Sequence, residues 1–178
     1  MKKLLFILIA LTLFLPVQAI SASNPVKGGN LVVAQPAEPP GLDPTANTAA
    51  AIDRVVWANV FETLVKVDDQ GQVLPGLAKE WNVSADGKIY TFSLRAGVKY
   101  HNGEPFNAEV AKWNLERAMG PKTVNPHPEY FRVIENIQTP AENTLKITLK
   151  DVDALFLVHM TEGDASLLPI TGYKDAKS

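Results

Sequence analysis

Few residues of this chain have the types and spacing that catalysis or metal binding requires. The 178 residues include three histidines, 26 and 32 residues apart, and no cysteine, so no pair has the spacing of metal ligands. The segment 68–72 (DDQGQ) lacks the final carboxylate of a calcium loop. No serine lies in a nucleophile elbow, and no phosphate-binding loop follows a strand. The residues therefore predict no catalytic site, no metal and no cofactor. A secreted hydrolase, which needs a nucleophile and a base, is not indicated.

Aromatic residues are more informative. Five of them have the spacing of buried helix or strand faces and predict core positions: Trp57, Trp81, Tyr90, Phe92 and Trp113. Tyr130 differs because it lies in an irregular, proline-flanked segment, NPHPEYF. An aromatic ring in such a loop either faces a ligand or packs beneath the loop, and the sequence leaves both alternatives open.

The first elements are predicted from apolar spacing. Residues 30–36 are β-branched and apolar and predict a buried strand, and the proline-rich segment 37–45 predicts a loop that leaves it. Apolar residues recur at helical spacing across 47–65, which predicts a helix that Asn47 or Thr48 caps.

The rest of the chain predicts paired strands and helices. The helix at 107–119 is capped by Asn107 and is followed by Gly120-Pro121. The other predicted elements are strands around a turn at 65–75, a helical turn running into a strand at 77–84, an alternating strand at 88–95, an extended piece at 96–106, a strand pair at 132–150 and a short apolar helix or run at 151–160. Clustered strands with interspersed helices indicate an α+β fold with a mainly antiparallel sheet.

The first residues have the pattern of a secretory signal peptide. Lys2 and Lys3 precede an uncharged apolar run at 4–15, and small residues at 17 and 19 suit a cleavage site. We expect residues 1–19 to be removed, with cleavage after Ser21 or Ser23 and an uncleaved anchor as alternatives. Since no cysteine is present for lipid attachment, we expect a free periplasmic protein that is not a lipoprotein.

The charge of the mature chain excludes some classes of partner. Without Lys2 and Lys3, 15 basic residues oppose 19 acidic ones, a net charge of −4. There is no basic stripe of the kind that binds nucleic acid, and no basic amphipathic helix for a membrane surface. We therefore expect neither partner.

An ordered set of motifs resembles the family 5 extracellular solute-binding proteins. The motifs are LDP, PGLAKEW, DGKIYTFSLRAGVKYHNG and FNAE, and the resemblance covers roughly residues 27–158. It implies that residues 20–178 are the N-terminal part of the first lobe of a type II periplasmic-binding-protein fold, with the second lobe absent. It also implies a monomeric, non-enzymatic component of an ABC importer that captures peptides or peptide-like solutes and delivers them to the permease.

The resemblance also suggests ligand-contacting residues. A loop on the first-lobe side of the cleft is matched by Glu38, Pro39, Pro40 and Leu42. For Glu38 the alternative is a loop carboxylate that is simply solvated. Tyr130 matches an aromatic, cleft-facing position of the nickel-chelate branch. That branch has an arginine where this chain reads EGDASLLP (162–169), so the nickel interpretation is weakened. The solute stays open, and a secreted interaction or chaperone module is the alternative function.

Overall fold

The structure is a computed structural model that describes residues 27–57 and 59–175. The chain divides into two compact units, one ending at Ala34 and the other beginning at Gln35. In the described part of the first unit, Leu31 and Val32 are 88% and 91% exposed, and no strand forms. The predicted buried strand at 30–36 is therefore wrong. A strand needs a neighbour to pair its N–H and C=O groups, and no described strand pairs with it.

The second unit is an antiparallel α+β structure, as predicted. Strands β3, β4, β6 and β5 form one sheet in that order, and β1 pairs with β2 in a separate ribbon. Among the described residues, no helix is both long and apolar enough to cross a membrane. In chain order the elements are α1 (Ala50–Val56), β1 (Val65–Val67), β2 (Val73–Pro75), β3 (Ala78–Val83), β4 (Ile89–Leu94), α2 (Ala108–Met119), α3 (Glu129–Arg132), β5 (Ile134–Ala141), β6 (Thr144–Leu149), α4 (Phe156–His159), a 3₁₀ helix (Gly163–Ala165) and α5 (Ile170–Asp175).

The first helix is shorter than the apolar spacing predicts. Helix α1 ends at Val56, where the Asn59 side chain donates to the backbone oxygens of two residues in its last turn. Leu64 then lies in a bend before β1, and its carbonyl accepts hydrogen bonds from the N–H groups of Gly76 and Ala78. At the other end, Asn47 accepts a hydrogen bond from the N–H of Ala49, and Ala49 itself is the N-cap.

The segment 77–84 forms a strand, and the predicted helical turn is wrong. Strand β3 pairs with β4 across a hairpin, with Trp81 opposite Phe92. The predicted Asp-Gly turn joins the two strands, and Gly87 has a φ of 72°, which glycine adopts at little cost. Pairing with β4 therefore outweighs the helix propensity of the Leu-Ala-Lys-Glu stretch.

Helix α2 packs on the sheet and begins as predicted. The Asn107 side chain accepts a hydrogen bond from the N–H of Val110 (3.1 Å), and Gly120 is the C-cap. The alternating strand prediction is also confirmed, since Tyr90, Phe92 and Leu94 of β4 are buried. The same core includes Leu145, Ile147 and Leu149 of β6, Ala111 and Leu115 of α2, Phe131 and Phe156. The three tryptophans are half-buried rather than fully buried.

Replacement of Phe92 tests this core. Phe92 is fully buried, so Phe92→Ala removes a ring and leaves a cavity, and we expect a loss of about 3–5 kcal/mol in the free energy of unfolding. Urea denaturation followed by circular dichroism measures the loss. The control Leu155→Ala, at a side chain that is 56% exposed, is expected to lose less than about 1 kcal/mol. Equal losses in the two variants would contradict the assignment of Phe92 to the core.

Candidate functional site

A polar cavity of about 270 Å³ lies where four segments of the second unit meet. The segments are the loop before α1, helix α1 itself, the irregular stretch leading into α3, and the 3₁₀ helix. We call it the Tyr130 cavity, and its lining residues are Pro44, Asn47, Thr48, Asp53, Pro126, His127, Tyr130, Glu162, Gly163 and Asp164.

The Tyr130 ring stacks against two histidine rings. Its centroid lies 4.9 Å from that of His127 and 3.9 Å from that of His159, and the rings are inclined by only 16° and 11°. Because both histidine rings lie nearly parallel to the tyrosine ring at stacking distance, stacking sets its orientation at the cavity. Tyr130 is in the second position of α3, so this helix places it.

Asp164 is joined to His127 by a side-chain hydrogen bond. His127 Nδ1 lies 3.0 Å from Asp164 Oδ2, and an Nδ1–H donates to that oxygen. The Asn125 side chain strengthens the link, since it accepts from the N–H of His127 and donates to the carbonyl of Asp164. Asp164 is only 7% exposed, so its carboxylate has a fixed position at the cavity wall.

The segment after Asp164 is held by Asn114 of α2. The amide of this buried side chain accepts from the N–H of Leu168 (3.0 Å) and donates to its carbonyl (2.9 Å). The neighbouring Leu167 N–H donates to the carbonyl of Glu62. These bonds satisfy buried backbone groups that no strand reaches, and they place the 3₁₀ helix beside the cavity.

A second set of polar contacts holds the loop before α1. Asp43 Oδ1 accepts from the N–H (2.9 Å) and the hydroxyl (2.6 Å) of Thr45, and Arg117 Nη2 donates to that hydroxyl. The Arg117 guanidinium also lies 4.5 Å from the Tyr173 ring centroid and 5.6 Å from that of Trp113. Its Nη2 thus holds the loop, whereas Nε and Nη1 are buried without a hydrogen-bond partner among the described residues, and Arg117 does not line the Tyr130 cavity.

Asp53 faces Asp164 across the cavity wall. Burial raises the pKa of Asp53, and the negative charge of Asp164 raises it further. Gly163 allows this approach, because a β-carbon built on it lies 2.7 Å from Asp53 Oδ1. Any other residue at 163 would therefore displace the Asp53 carboxylate.

The structure separates the predicted site residues. Tyr130 lines the cavity together with Pro44, at the end of the predicted loop, and with Asn47 and Thr48, which were predicted at the start of the helix. Glu38, Pro39 and Pro40 do not line it. Leu42 is 59% exposed and lines a separate apolar cavity of about 310 Å³ together with Asp43, Phe61, Leu168, Pro169, Gly172 and Tyr173. A ligand role for these four loop residues stays a prediction.

Sequence reasoning missed four of the charged or ionisable lining residues. These are Asp53, His127, Glu162 and Asp164. They come from three distant parts of the chain, so no local spacing reveals them. One difference in the sequence could have indicated them: the chain has acidic residues at 162–164, in the segment where the nickel-chelate branch has an arginine. Within the described residues, no group of three or more His, Cys, Asp or Glu is arranged to hold a metal ion.

Comparison with known proteins identifies similar sequences. The family model described as "Bacterial extracellular solute-binding proteins, family 5 Middle" matches residues 72–177, more than half of the chain. Di/tripeptide-binding protein 4 of Pseudomonas aeruginosa (strain UCBPP-PA14) is 33% identical over 171 residues, which cover 84% of this chain and 31% of that protein. The nickel-binding periplasmic protein of Escherichia coli (strain K12) is 41% identical over 98 residues, which cover 55% of this chain and 19% of that protein.

Solved structures share the fold. The binding protein AgaA of A.tumefacien R10, in complex with agropinic acid, aligns with a TM-score of 0.72 at 27% identity, covering 79% of this chain and 28% of that one. OppA of Haemophilus influenzae, in complex with the peptide RPPGFSPFR, aligns with a TM-score of 0.71 at 24% identity, and the alignment covers 78% of this chain and 30% of that one. The chain therefore spans less than a third of the length of these relatives.

The interaction between the two aspartates is testable by substitution. We expect Asp164→Asn to lower the pKa of Asp53 toward its ordinary value, because one of the two causes of the shift is removed. NMR titration of the Asp53 carboxyl carbon measures the change. The control Asp69→Asn, in the exposed turn between β1 and β2, should leave the Asp53 titration unchanged.

The same shift has a consequence for stability. The folded state holds the Asp53 proton more tightly than the unfolded chain does. The contribution of Asp53 to the free energy of unfolding therefore falls as pH rises from the ordinary aspartate pKa to the raised one. Above that range it is constant. Urea denaturation across this acidic range measures the free energy of unfolding. Its fall with rising pH that is due to Asp53 should be smaller in Asp164→Asn than in the unaltered chain. An Asp53 pKa that does not move in this variant would contradict the coupling.

Proposed function

The chain belongs to the bacterial extracellular solute-binding proteins of family 5, and we propose that it forms part of the first lobe of a binding protein for an ABC importer. The solutes we propose are peptides or peptide-like molecules. The observation that carries this proposal is the family match over residues 72–177. The names of similar proteins support the solute class, since they include a di/tripeptide-binding protein and an oligopeptide-binding protein.

We propose that the Tyr130 cavity belongs to the ligand-facing side of this lobe. It is concave and polar, and its wall is held by the ring stack, the His127–Asp164 bond and the Asn114 side chain. Such prior ordering lowers the cost of binding. In this proposal the protein captures and releases a solute without changing it, so it is not an enzyme. Closure of a second lobe over the solute completes the site.

The predicted loop residues take a secondary place in this proposal. Glu38, Pro39, Pro40 and Leu42 lie near the start of the loop that leads to Pro44, and we propose that they contact a longer solute at the rim. The prolines restrict the backbone of this loop, which again reduces the ordering cost. No observation on the described residues favours the interaction-module alternative.

We also propose a location and a set of partners. Residues 1–19, outside the described residues, act as a signal peptide, and the mature chain is a periplasmic monomer without a lipid anchor. The similar proteins of E. coli and H. influenzae are named as periplasmic, which supports this location. The permease of the importer is the proposed partner of the full-length protein.

Signal-peptide cleavage is tested by mass spectrometry. We expect the protein from a periplasmic extract to begin between Ile20 and Asn24, because the charged, apolar and small-residue segments occur in the order that signal peptidase requires. Recovery of the chain in membranes with Met1 intact would contradict the proposal.

Binding by this chain alone is expected to be weak. A ligand pocket normally covers about 70–90% of a small ligand, and one lobe covers only part of that surface. Isothermal titration of residues 20–178 with di- to pentapeptides and with glutathione should give dissociation constants no better than about 1 mM. Micromolar binding would contradict the two-lobe proposal. A complete absence of peptide binding, when NMR is used to reach millimolar concentrations, would contradict the peptide-binding function itself.

A further inference from the structure

We propose that Asp164 and Asp53 make the Tyr130 cavity selective for a ligand with a positively charged side chain, an ammonium or a guanidinium. This inference rests on the proposed function, because it takes the cavity as part of the ligand-facing side of the lobe. It assigns the two aspartates as specificity-determining residues and names the class of solute that they favour.

The charge of the cavity wall is the first argument. Its lining includes the carboxyl groups of Asp53, Glu162 and Asp164. Among the described residues that line it, none is lysine or arginine, and the imidazole of His127 is already hydrogen-bonded to Asp164. With the three carboxylates ionised, the wall is negative even when His127 is protonated. A cationic group entering the cavity is therefore attracted, and an anionic group is repelled.

The fixed positions of the two aspartates are the second argument. Asp164 is held by His127 through its side chain and by Asn125 through its backbone carbonyl. Asp53 lies against the backbone of Gly163, which has no side chain to separate it from the Asp164 segment. Burial raises the pKa of Asp53, and the negative charge of Asp164 raises it further. A ligand cation near the two carboxyl groups offsets this repulsion, and the ordered wall lowers the cost of binding it.

The position of Arg117 argues against an anionic ligand group. Recognition of a carboxylate requires cationic or N–H donors that are free to turn toward it. The Arg117 guanidinium instead donates to Thr45 and lies against the rings of Trp113 and Tyr173. It is absent from the lining of the Tyr130 cavity, so it offers no donor to a ligand group there.

The size of the cavity indicates which part of a solute enters it. Its volume of about 270 Å³ is below the roughly 300–1,000 Å³ of pockets that enclose a whole small ligand. One side chain of a peptide is a better match than the whole molecule. The apolar stem of a lysine or arginine side chain suits the edge of Tyr130 and the rings of Pro44 and Pro126, while its charged end reaches the aspartates.

Two matched tripeptides test the inference. Ala-Lys-Ala and Ala-norleucine-Ala have the same termini and nearly the same side-chain length, and differ in the ammonium group. We expect the lysine peptide to bind the 20–178 chain about tenfold more tightly, the scale of one hydrogen bond between charged groups. Titrations followed by ¹H–¹⁵N NMR should show the largest shifts at the amides of Gly163 and Asp164.

Three variants locate the source of the preference. Asp164→Asn and Asp53→Asn each remove one negative charge from the wall, and each is expected to reduce the tenfold preference to about twofold or less. The control Asp69→Asn makes the same chemical change in the exposed β1–β2 turn and is expected to keep the full preference. Because Asp164 is buried, the dispersion of the amide spectrum checks that its variant folds. If Asp164→Asn does not fold, the binding preference of Asp53→Asn decides whether the aspartates cause the selectivity.

The outcomes separate this inference from the proposed function. Equal binding of the two tripeptides by the unaltered chain would overturn the charge selectivity and leave the peptide-binding function standing. A preference that survives Asp53→Asn would overturn the assignment of the aspartates. If neither tripeptide shifts any amide at concentrations up to about 10 mM, the proposed function itself fails.

Discussion

The pairing of the Asn114 side chain with the backbone of Leu168 is the contact on which the candidate site depends. Asn114 lies on the buried face of α2, and its amide takes the role that a neighbouring strand plays in a sheet by bonding both the N–H and the carbonyl of one residue. The 3₁₀ helix that carries Gly163 and Asp164 lies a few residues earlier, so this contact sets its distance from α2. Since α2 packs on the four-stranded sheet, the core of the sheet ultimately positions the cavity wall.

The site combines an ordered wall with an unbalanced charge. Stacking between His127 and His159 orients Tyr130, while hydrogen bonds from His127 and Asn125 orient Asp164. Two aspartates near one another are unfavourable in a folded protein unless a proton or a cation compensates them. An ordered wall suits a binding protein, because few groups must be reordered when a ligand enters.

The tertiary structure also explains why sequence patterns mislead at two segments. The helical spacing through Leu64 is interrupted after Val56, where Asn59 caps the helix and the following backbone pairs with the start of β3. The stretch at 77–81 has good helix formers but pairs with β4. In both cases hydrogen bonds outside the predicted helix, from a capping side chain or a paired strand, outweigh local propensities, which differ by less than about 1 kcal/mol per residue.

The sequence by itself determined the α+β class, the alternating strand of Tyr90 to Leu94, the helix that begins at Asn107 and the family. Each of these depends on apolar periodicity, caps or ordered motifs, which are properties of neighbouring residues. It also singled out Tyr130. Only the tertiary structure brought Asp53, His127 and Asp164 to one cavity and placed Arg117 outside it, because these residues come from segments far apart in the chain and their distances are set by the packing of α1, α2 and the 3₁₀ helix.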